Sequence, residues 1–567
     1  MRDACLQTEW FRAFVGGLAS AGVTDVVLSP GSRSTPLVAA AHADPRLHLT
    51  ALYDERSSGF FSLGMSRASG RPVAVLRTSG SAGGHDLPAI MEARAARLPL
   101  IVITADRPPE LHSAGASQTT DQVGMFGGRP SASFDLGAPC VHGLEAVGRK
   151  AVQVVRAACA PVPGPVHVNA PARKPLEPAL PRDETEQTWS KLVDAKIRAP
   201  LTTVEGRSRL GPTALAMVAD RLRTSGPGLV IAGPHRGPGQ GKGRTEAVHA
   251  FLDASGYVLA AETASGLRCM HPQAFAVPDW SLRDFTPSVV ISMGAQPSSR
   301  TLQAVLRRSA FTIHVDPYDL VDPDVTTDVA FFAEPDDFFE RAAEVARCET
   351  PTSWIAFDRS VMETIGARLS SEPAFDEAGL VRRFMEQLPD GAVLVLGNSL
   401  SIRLVDRFGL PRAGPVFSQR GLSGIDGLVS GAAGTAMEQP GPTAVLLGDL
   451  SFLHDLSGLW AARQVRRPLM FLVVDNRGGR IFDELPIATS HPGLMSMFTT
   501  PVEADFSALA RGFGVPSATV ERLDQLAPAM ASAWSRPGPT VVWARVAPGR
   551  LTQRTQAIQD GLESGPR

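Results

Sequence analysis

The chain has 567 residues, with 55 basic against 57 acidic side chains and a formal net charge of −2. That length exceeds one ordinary core, so two to four domains are expected, and the near-neutral balance gives no bulk pull toward nucleic acid or a membrane surface. Hydrophobic residues make up 44% and charged residues 20%, a soluble globular balance, and no apolar run reaches the length of a membrane span.

The start, Met1-Arg2-Asp3-Ala4-Cys5, lacks a basic stretch followed by an apolar one, so no secretory signal is expected. Cys5, Cys140, Cys159, Cys269 and Cys348 are scattered and odd in number, with no Cys-x-x-Cys pair. They read as reduced, mostly buried fillers of a cytoplasmic protein.

Three α/β blocks follow in chain order, with expected bounds 1–182, 205–350 and 372–567. The first carries apolar strands at Val26–Leu28, Val73–Leu76, Leu100–Ile103 and Val166–Val168. A polar stretch, Pro181–Arg209, reads as a linker. The second block has strands at Leu229–Ile231, Val289–Ile291 and Thr312–Val315. Its run Gly237-Pro238-Gly239-Gln240-Gly241-Lys242-Gly243 nearly matches a P-loop. Arg236 stands where that motif needs glycine and Gly243 where it needs Ser or Thr, so the run reads as a mobile loop. The third block opens with Val393–Leu396. Strands alternating with helices throughout predict three doubly wound, parallel-sheet α/β domains.

Several polar clusters stand where these strands end. Ser29-Pro30-Gly31-Ser32-Arg33-Ser34 is a strand end, a Pro-Gly turn and a helix start, an anion-site arrangement. Asp54 and Glu55 precede an apolar helical pattern and, alone, read as first-turn acids. Arg107 follows the strand Leu100–Ile103, and Gln118 lies on the polar loop after it. Gly397-Asn398-Ser399-Leu400-Ser401-Ile402-Arg403 repeats the strand–turn–arginine pattern, and Gln419–Gly427 adds Arg420 and the apolar Ile425. One such arginine is usually a solvated or structural cation. Four at strand ends or glycine turns suggest bidentate clamps for a substrate with several carboxylates.

Two segments of the third block are the most specific. Leu446-Leu447-Gly448-Asp449-Leu450 and Val473-Val474-Asp475-Asn476-Arg477-Gly478 are both apolar runs ending at a glycine turn with a hard oxygen ligand, and Asn476 follows Gly448 by 28 positions. With a helix over Asp455–Val465, a right-handed crossover sets Asp449 and Asn476 side by side beyond parallel strand ends. A carboxylate, an amide oxygen and a backbone carbonyl suit Mg²⁺ carrying a diphosphate. The plainer alternative is a βαβ unit whose Asp449 caps a helix. The spacing resembles the thiamine-diphosphate motif of the decarboxylase and acetolactate synthase superfamily.

Taken together, Ser29–Leu37, Asp54–Phe61, Thr104–Glu110, Gly397–Arg403, Arg420–Gly427, Gly448–Ser451 and Asn476–Phe482 resemble the 2-succinyl-5-enolpyruvyl-6-hydroxy-3-cyclohexene-1-carboxylate synthase family, thiamine-diphosphate transferases of menaquinone biosynthesis. The resemblance implies pyrimidine-binding, central transhydrogenase-like and diphosphate-binding domains. It implies a cytoplasmic homo-oligomer, at least a dimer, that decarboxylates 2-oxoglutarate and adds the succinyl unit to isochorismate. Glu55 would activate the aminopyrimidine from a site shielded from water. Asp449, Asn476 and the Gly478 carbonyl would hold Mg²⁺, with Mn²⁺ as an alternative.

The same resemblance puts Ser399, Ser423, Gly448 and Leu450 against the cofactor and makes Ile425 the wedge between its rings. Arg33, Arg107, Gln118, Arg300, Ser399, Arg403 and Arg420 would bind substrate carboxylates, and Ile481 and Phe482 would form an apolar wall. The chain departs from the family pattern at Ser81, His85, Ser117, Gln419 and Asp475, each still polar. His85 reads as a hydrogen-bonded structural histidine.

Overall fold

The computed structural model describes residues 2–199, 201, 209–211, 213–239, 242–562 and 565–566. It contains three parallel sheets. The first is built from β1 (Asp25–Leu28), β2 (His48–Ala51), β3 (Val73–Arg77), β4 (Leu100–Asp106), β5 (Ala132–Asp135) and β6 (Pro165–Pro171), in the order β2-β1-β3-β4-β6-β5. The second has β7 (Gly228–Ala232), β8 (Val258–Ala261), β9 (Val289–Met293), β10 (Thr312–Val315) and β11 (Val329–Phe331), ordered β11-β10-β9-β7-β8. The third has β12 (Val393–Leu396), β13 (Val416–Ser418), β14 (Thr443–Gly448), β15 (Leu469–Asp475), β16 (Ser517–Val520) and β17 (Pro539–Arg545), ordered β13-β12-β14-β15-β17-β16. The first and third sheets therefore share one strand order, a likeness that residue patterns alone leave as one of style.

Branched apolar runs make these strands because each is covered on both faces. Every residue of β3, β4, β6 and β15 is buried. The third block is the hub. One core cluster joins Phe61 and Met65 of the first block to Val429 and Val473 of the third, and another joins Val277 and Trp280 of the second to Leu394 and Leu446. The helix Thr352–Ser371, between the second and third blocks, sinks Val361 and Ile365 into that second cluster.

The first and third blocks meet where the helix Glu55–Ser69 lies against the helix Leu428–Glu438. Glycine makes the approach possible: a Cβ at Gly64 would stand 2.0 Å from the Gly431 carbonyl oxygen, and one at Gly434 would stand 1.9 Å from that of Phe61. Gly427 has φ +62° and lies against the Phe60 ring, so both its conformation and its space demand glycine.

Three expectations are corrected. The stretch Pro181–Arg209 contains a helix, Glu184–Arg198, capped by Asp183 and packed through Trp189, Leu192 and Val193 on the first block's core. Its four-residue apolar spacing is sparse, which is why it passes for a linker. The helix expected over Asp455–Val465 is shorter, Gly458–Ala462, and a separate helix, Asp449–His454, precedes it; the break falls at Asp455, whose carboxylate turns back to accept hydrogen bonds from the Ser430 amide (2.6 Å) and hydroxyl (3.0 Å). The described start of the glycine-rich run is docked on the first block. Gly237 N–H donates to the Ala96 carbonyl and Gly239 N–H to that of Arg67, each at 2.9 Å, while Gln240 and Gly241 lie outside the described residues.

Gly434→Ala should lower stability by about 3 kcal/mol, because the backbones must separate to admit the methyl. A lower urea midpoint is the expected outcome, and an unchanged midpoint would count against the close helix contact.

Candidate active site

All three sheets deliver chemistry at their carboxyl ends, where open α/β sheets bind ligands. Arg33 follows β1, Glu55 follows β2 and Arg107 follows β4. In the third sheet Ser399 follows β12, Arg420 follows β13, Asp449 follows β14 and Asn476 follows β15. β14 and β15 run in parallel register with Gly448 opposite Val474, which sets Asp449 beside Asp475 and Asn476 just beyond.

The Asp449 carboxylate accepts the Gly478 N–H at 2.6 Å and the Leu450 N–H at 2.7 Å. Burial outweighs these bonds, and with Asp475 adding to it pushes the Asp449 carboxyl up to about 7. A buried carboxylate of this kind gains from a cation placed against it. The Asn476 amide nitrogen donates to Glu377 Oε1 at 2.9 Å, which fixes the amide and leaves its oxygen on the side away from Glu377. Gly478 has φ +112°, and a Cβ there would stand 2.1 Å from the Thr499 carbonyl oxygen, so the turn closes only around glycine. Open space adjoins Gly448, with no atom within 4 Å of a Cβ built there. One carboxylate, one amide oxygen and the Gly478 carbonyl, which accepts the Arg480 N–H at 2.8 Å and keeps its second lone pair, fit a six-coordinate divalent cation that keeps positions for a diphosphate. Among the described residues no cluster of three or more His, Cys, Asp or Glu side chains competes for that role. Asp475 is engaged elsewhere, accepting from Trp543 Nε1 at 3.0 Å and from the Arg477 amide at 3.1 Å.

The loop Gln419–Gly427 is built to hold one shape. Asn398 Nδ2 donates to the carbonyls of Gln419 (2.9 Å) and Gly424 (2.7 Å), and Gln419 Nε2 donates to that of Asp426 (2.7 Å). From the first block, the Glu92 carboxylate accepts the Gly421 and Leu422 amides at 2.9 and 2.6 Å. Ser423 sits at φ +62°, and Ile425 on the same loop is 38% exposed.

Glu55 opens its helix, with Asp54 capping at 3.0 Å to Ser57 N–H. The fully buried Arg77, paired with Asp86 at 2.7 Å, donates to the Glu55 carbonyl at 3.0 Å and pins that first turn. The expected shielding of Glu55 from water is not complete within the chain, for the residue is only half-buried. No hydrogen bond among the described residues joins its side chain to Asp449, Asn476 or the Gln419–Gly427 loop. His85 is another correction: it is exposed and makes no hydrogen bond to the described residues, since its short 3-10 turn points it outward.

The arginines fall into two groups. Arg33 is buried, donates to the Ala172 carbonyl at 2.6 Å and leaves its Nε without a partner; burial and then the neighbouring Arg107 hold its pKa down. Arg107 donates to Ser79 Oγ and, at 3.4 Å, to Gln118 Oε1, with Gln118 in the left-handed region at φ +53°. The second group surrounds a cavity of about 660 Å³ between the second and third blocks, with Arg300, Arg403 and Ile481 on its wall. Arg403 donates to the Ser399 carbonyl at 2.7 Å, and Ser399 itself is held at φ +63°. Burial, then Arg420, lowers the pKa of Arg403, which places the two guanidiniums near each other. Arg420 keeps a buried Nε with no partner. Phe482 turns to Phe498, with ring centroids 5.3 Å apart, while Ile481 reaches the cavity.

Sequence reasoning missed Glu377, Glu92, Asn398, Arg77 with Asp86, and Glu262; Glu377 and Glu92 have partners 99 and 329 residues away. Asn398 alone had a signal, its place within the Gly397–Arg403 cluster.

These features are those of a thiamine-diphosphate enzyme. Residues 9–125 match the model described as thiamine pyrophosphate enzyme, N-terminal TPP binding domain, and residues 405–544 match thiamine pyrophosphate enzyme, C-terminal TPP binding domain. The fold is similar to that of benzoylformate decarboxylase from Polynucleobacter necessarius, with a TM-score of 0.72 at 18% identity over 95% of this chain and 98% of the other. The 2-succinyl-5-enolpyruvyl-6-hydroxy-3-cyclohexene-1-carboxylate synthase of Sorangium cellulosum is 37% identical over 97% of this chain and 94% of its own length. That of Chloroflexus aurantiacus is 38% identical over 89% and 87%. The chain belongs to the 2-succinyl-5-enolpyruvyl-6-hydroxy-3-cyclohexene-1-carboxylate synthase family, and it is a thiamine-diphosphate-dependent enzyme.

Glu377→Ala frees the Asn476 amide to rotate, so Mg²⁺ affinity in the presence of thiamine diphosphate should fall about 10- to 100-fold, with a smaller loss for Glu377→Gln, which keeps an acceptor. Titration calorimetry reads this directly, and unaltered affinity in Glu377→Ala would remove Glu377 from the site.

Proposed function

We propose that the enzyme decarboxylates 2-oxoglutarate and adds the resulting succinyl carbanion equivalent to isochorismate, giving 2-succinyl-5-enolpyruvyl-6-hydroxy-3-cyclohexene-1-carboxylate for menaquinone biosynthesis in the cytoplasm. One observation carries the substrate class. Among the described residues Arg33, Arg107, Arg300, Arg403 and Arg420 form no ion pair, whereas Arg77, Arg268 and Arg407 each face a carboxylate. Unpaired guanidiniums at a cavity and at strand ends suit substrates that bring several carboxylates of their own.

Asp449, Asn476 and the Gly478 carbonyl would hold Mg²⁺, or Mn²⁺ in its place, against the diphosphate, with Gly448, Leu450, Ser399 and Ser423 lining the cofactor and Ile425 set between its rings. When bound, thiamine diphosphate supplies the electron sink that both C–C bond cleavage and C–C bond formation need. Glu55 hydrogen-bonds the aminopyrimidine and so governs where its protons sit. Arg33, Arg107 and Gln118 on one side, and Arg300, Arg403 and Arg420 on the other, orient the two acids. Such alignment lowers the barrier by about 7 kcal/mol when the reacting carbons are held in contact. Ile481 and Phe482 keep the neighbouring surface apolar.

A second copy of the chain completes the site in this reading. Glu55 is half-buried and its side chain makes no hydrogen bond to the metal-ligand trio of its own chain among the described residues, so in this reading it serves the trio of its partner in a homodimer. Among the described residues no helix is long and apolar enough to cross a membrane, and the cysteines are free thiols.

Glu55→Gln should nearly abolish turnover while leaving diphosphate and Mg²⁺ affinity close to wild type; full activity would exclude Glu55 from the role. Carbon dioxide release from 2-oxoglutarate should depend strongly on isochorismate, and equal release without it would point to a simple 2-oxo acid decarboxylase. Arg403→Ala should lower kcat/KM for at least one substrate about a hundredfold or more, the cost of an unpaired carboxylate in a desolvated site.

A further inference from the structure

Behind the cavity wall formed by Ser298, Ser299 and Asp406 lies a carboxylate that the reaction as proposed does not use. Glu262 follows β8 at the second sheet's carboxyl edge, with its N–H donated to the Ala232 carbonyl at 3.0 Å, and only 2% of it is exposed. Oε1 accepts from the Ser298 hydroxyl at 2.9 Å and the Ser299 amide at 2.7 Å. Oε2 is buried and has no partner among the described residues.

The charged groups facing it come from the third block. Asp406 acts on it as a like charge and Arg420 as an opposite one, and Glu262 in turn acts on Arg403. Asp406 is itself engaged: Oδ1 accepts from the Thr263 amide (2.7 Å) and hydroxyl (2.6 Å), with Arg268 Nη1 3.6 Å away and the Asp279 carboxylate also acting on it. Glu484 also acts on Arg403 but is bidentate with Arg407, so Glu262 is the buried carboxylate, in no ion pair among the described residues, whose charge acts on both half-buried guanidiniums.

We propose that Glu262 is a positioning residue that sets the charge balance of the Arg403–Arg420 pair, leaving both guanidiniums to a substrate carboxylate while it is neutral and competing for them once it is ionised. The inference rests on the reading of Arg403 and Arg420 as substrate ligands. Burial, followed by the Asp406 charge, raises the Glu262 carboxyl to about 8. The sign follows from that direction. Below this pH the group keeps its proton and the arginines attract anions at full strength. Above it a new negative charge stands behind them, and an acidic substrate binds less well.

The test uses the holoenzyme. Arg403→Ala first identifies the substrate whose KM depends on that guanidinium. KM for that substrate is then followed from pH 7 to pH 9 in wild type and in Glu262→Gln, which keeps the acceptor for both serines. Wild-type KM should rise about tenfold over that range, while the variant's KM stays within about threefold and kcat changes in parallel in the two proteins. A flat wild-type profile overturns the proposal without recourse to any variant, and so do matching profiles in the two proteins. If Arg403→Ala leaves KM for both acids unchanged, the failure lies instead with the substrate reading on which the proposal rests.

Discussion

The parallel pairing of β14 with β15 is the constraint on which the rest of the molecule depends. Both strands are covered on both faces, and their register sets Asp449 and Asn476 side by side at one edge of the sheet. The surroundings serve that arrangement. Glu377 orients the amide, Gly478 admits the turn, and Trp543 and the Arg477 amide fix Asp475 beside Asp449. Neighbouring strand ends then contribute the loop that carries Ile425 and the turn that carries Ser399.

A second constraint is the glycine-mediated contact between the helices Glu55–Ser69 and Leu428–Glu438. Two helices rarely approach closely enough for a carbonyl oxygen to lie about 2 Å from where a Cβ would be, and only glycine permits it. The contact locks the first block to the third, so the position of Glu55 is set relative to a rigid body rather than to a loop. Arg77, buried with Asp86, then fixes the helix's first turn. Burying this ion pair is favourable only because the guanidinium is fully hydrogen-bonded.

The arginines show how charge is divided between structure and function. Arg268 donates to the carbonyls of Val405, Ala276 and Gly409 and to the Thr263 hydroxyl, and Arg407 is bidentate with Glu484; both are satisfied and hold the second and third blocks together. Arg33 and Arg420 each retain a buried Nε with nothing to donate to. A buried unpaired donor destabilises the fold, and its retention at two strand ends is understandable where a ligand's carboxylate takes the place of a protein partner.

What the sequence determined by itself was local and periodic. Branched apolar runs placed strands in three α/β blocks, glycine turns marked their carboxyl ends, and the interval from Gly448 to Asn476 marked the pair proposed as metal ligands, because each signal lies within one βαβ unit. The tertiary structure alone decided which polar groups support that pair. Glu377 meets Asn476 across 99 residues, Glu92 meets Gly421 across 329, and Glu262 faces arginines of another block. It also decided that Glu184–Arg198 is a docked helix and that the crossover breaks at Asp455, where a carboxylate turned toward Ser430 overrides helical continuity. The physical reason is the same throughout: periodicity reports which face of an element is buried, whereas a buried polar atom's partner depends on how whole blocks come together.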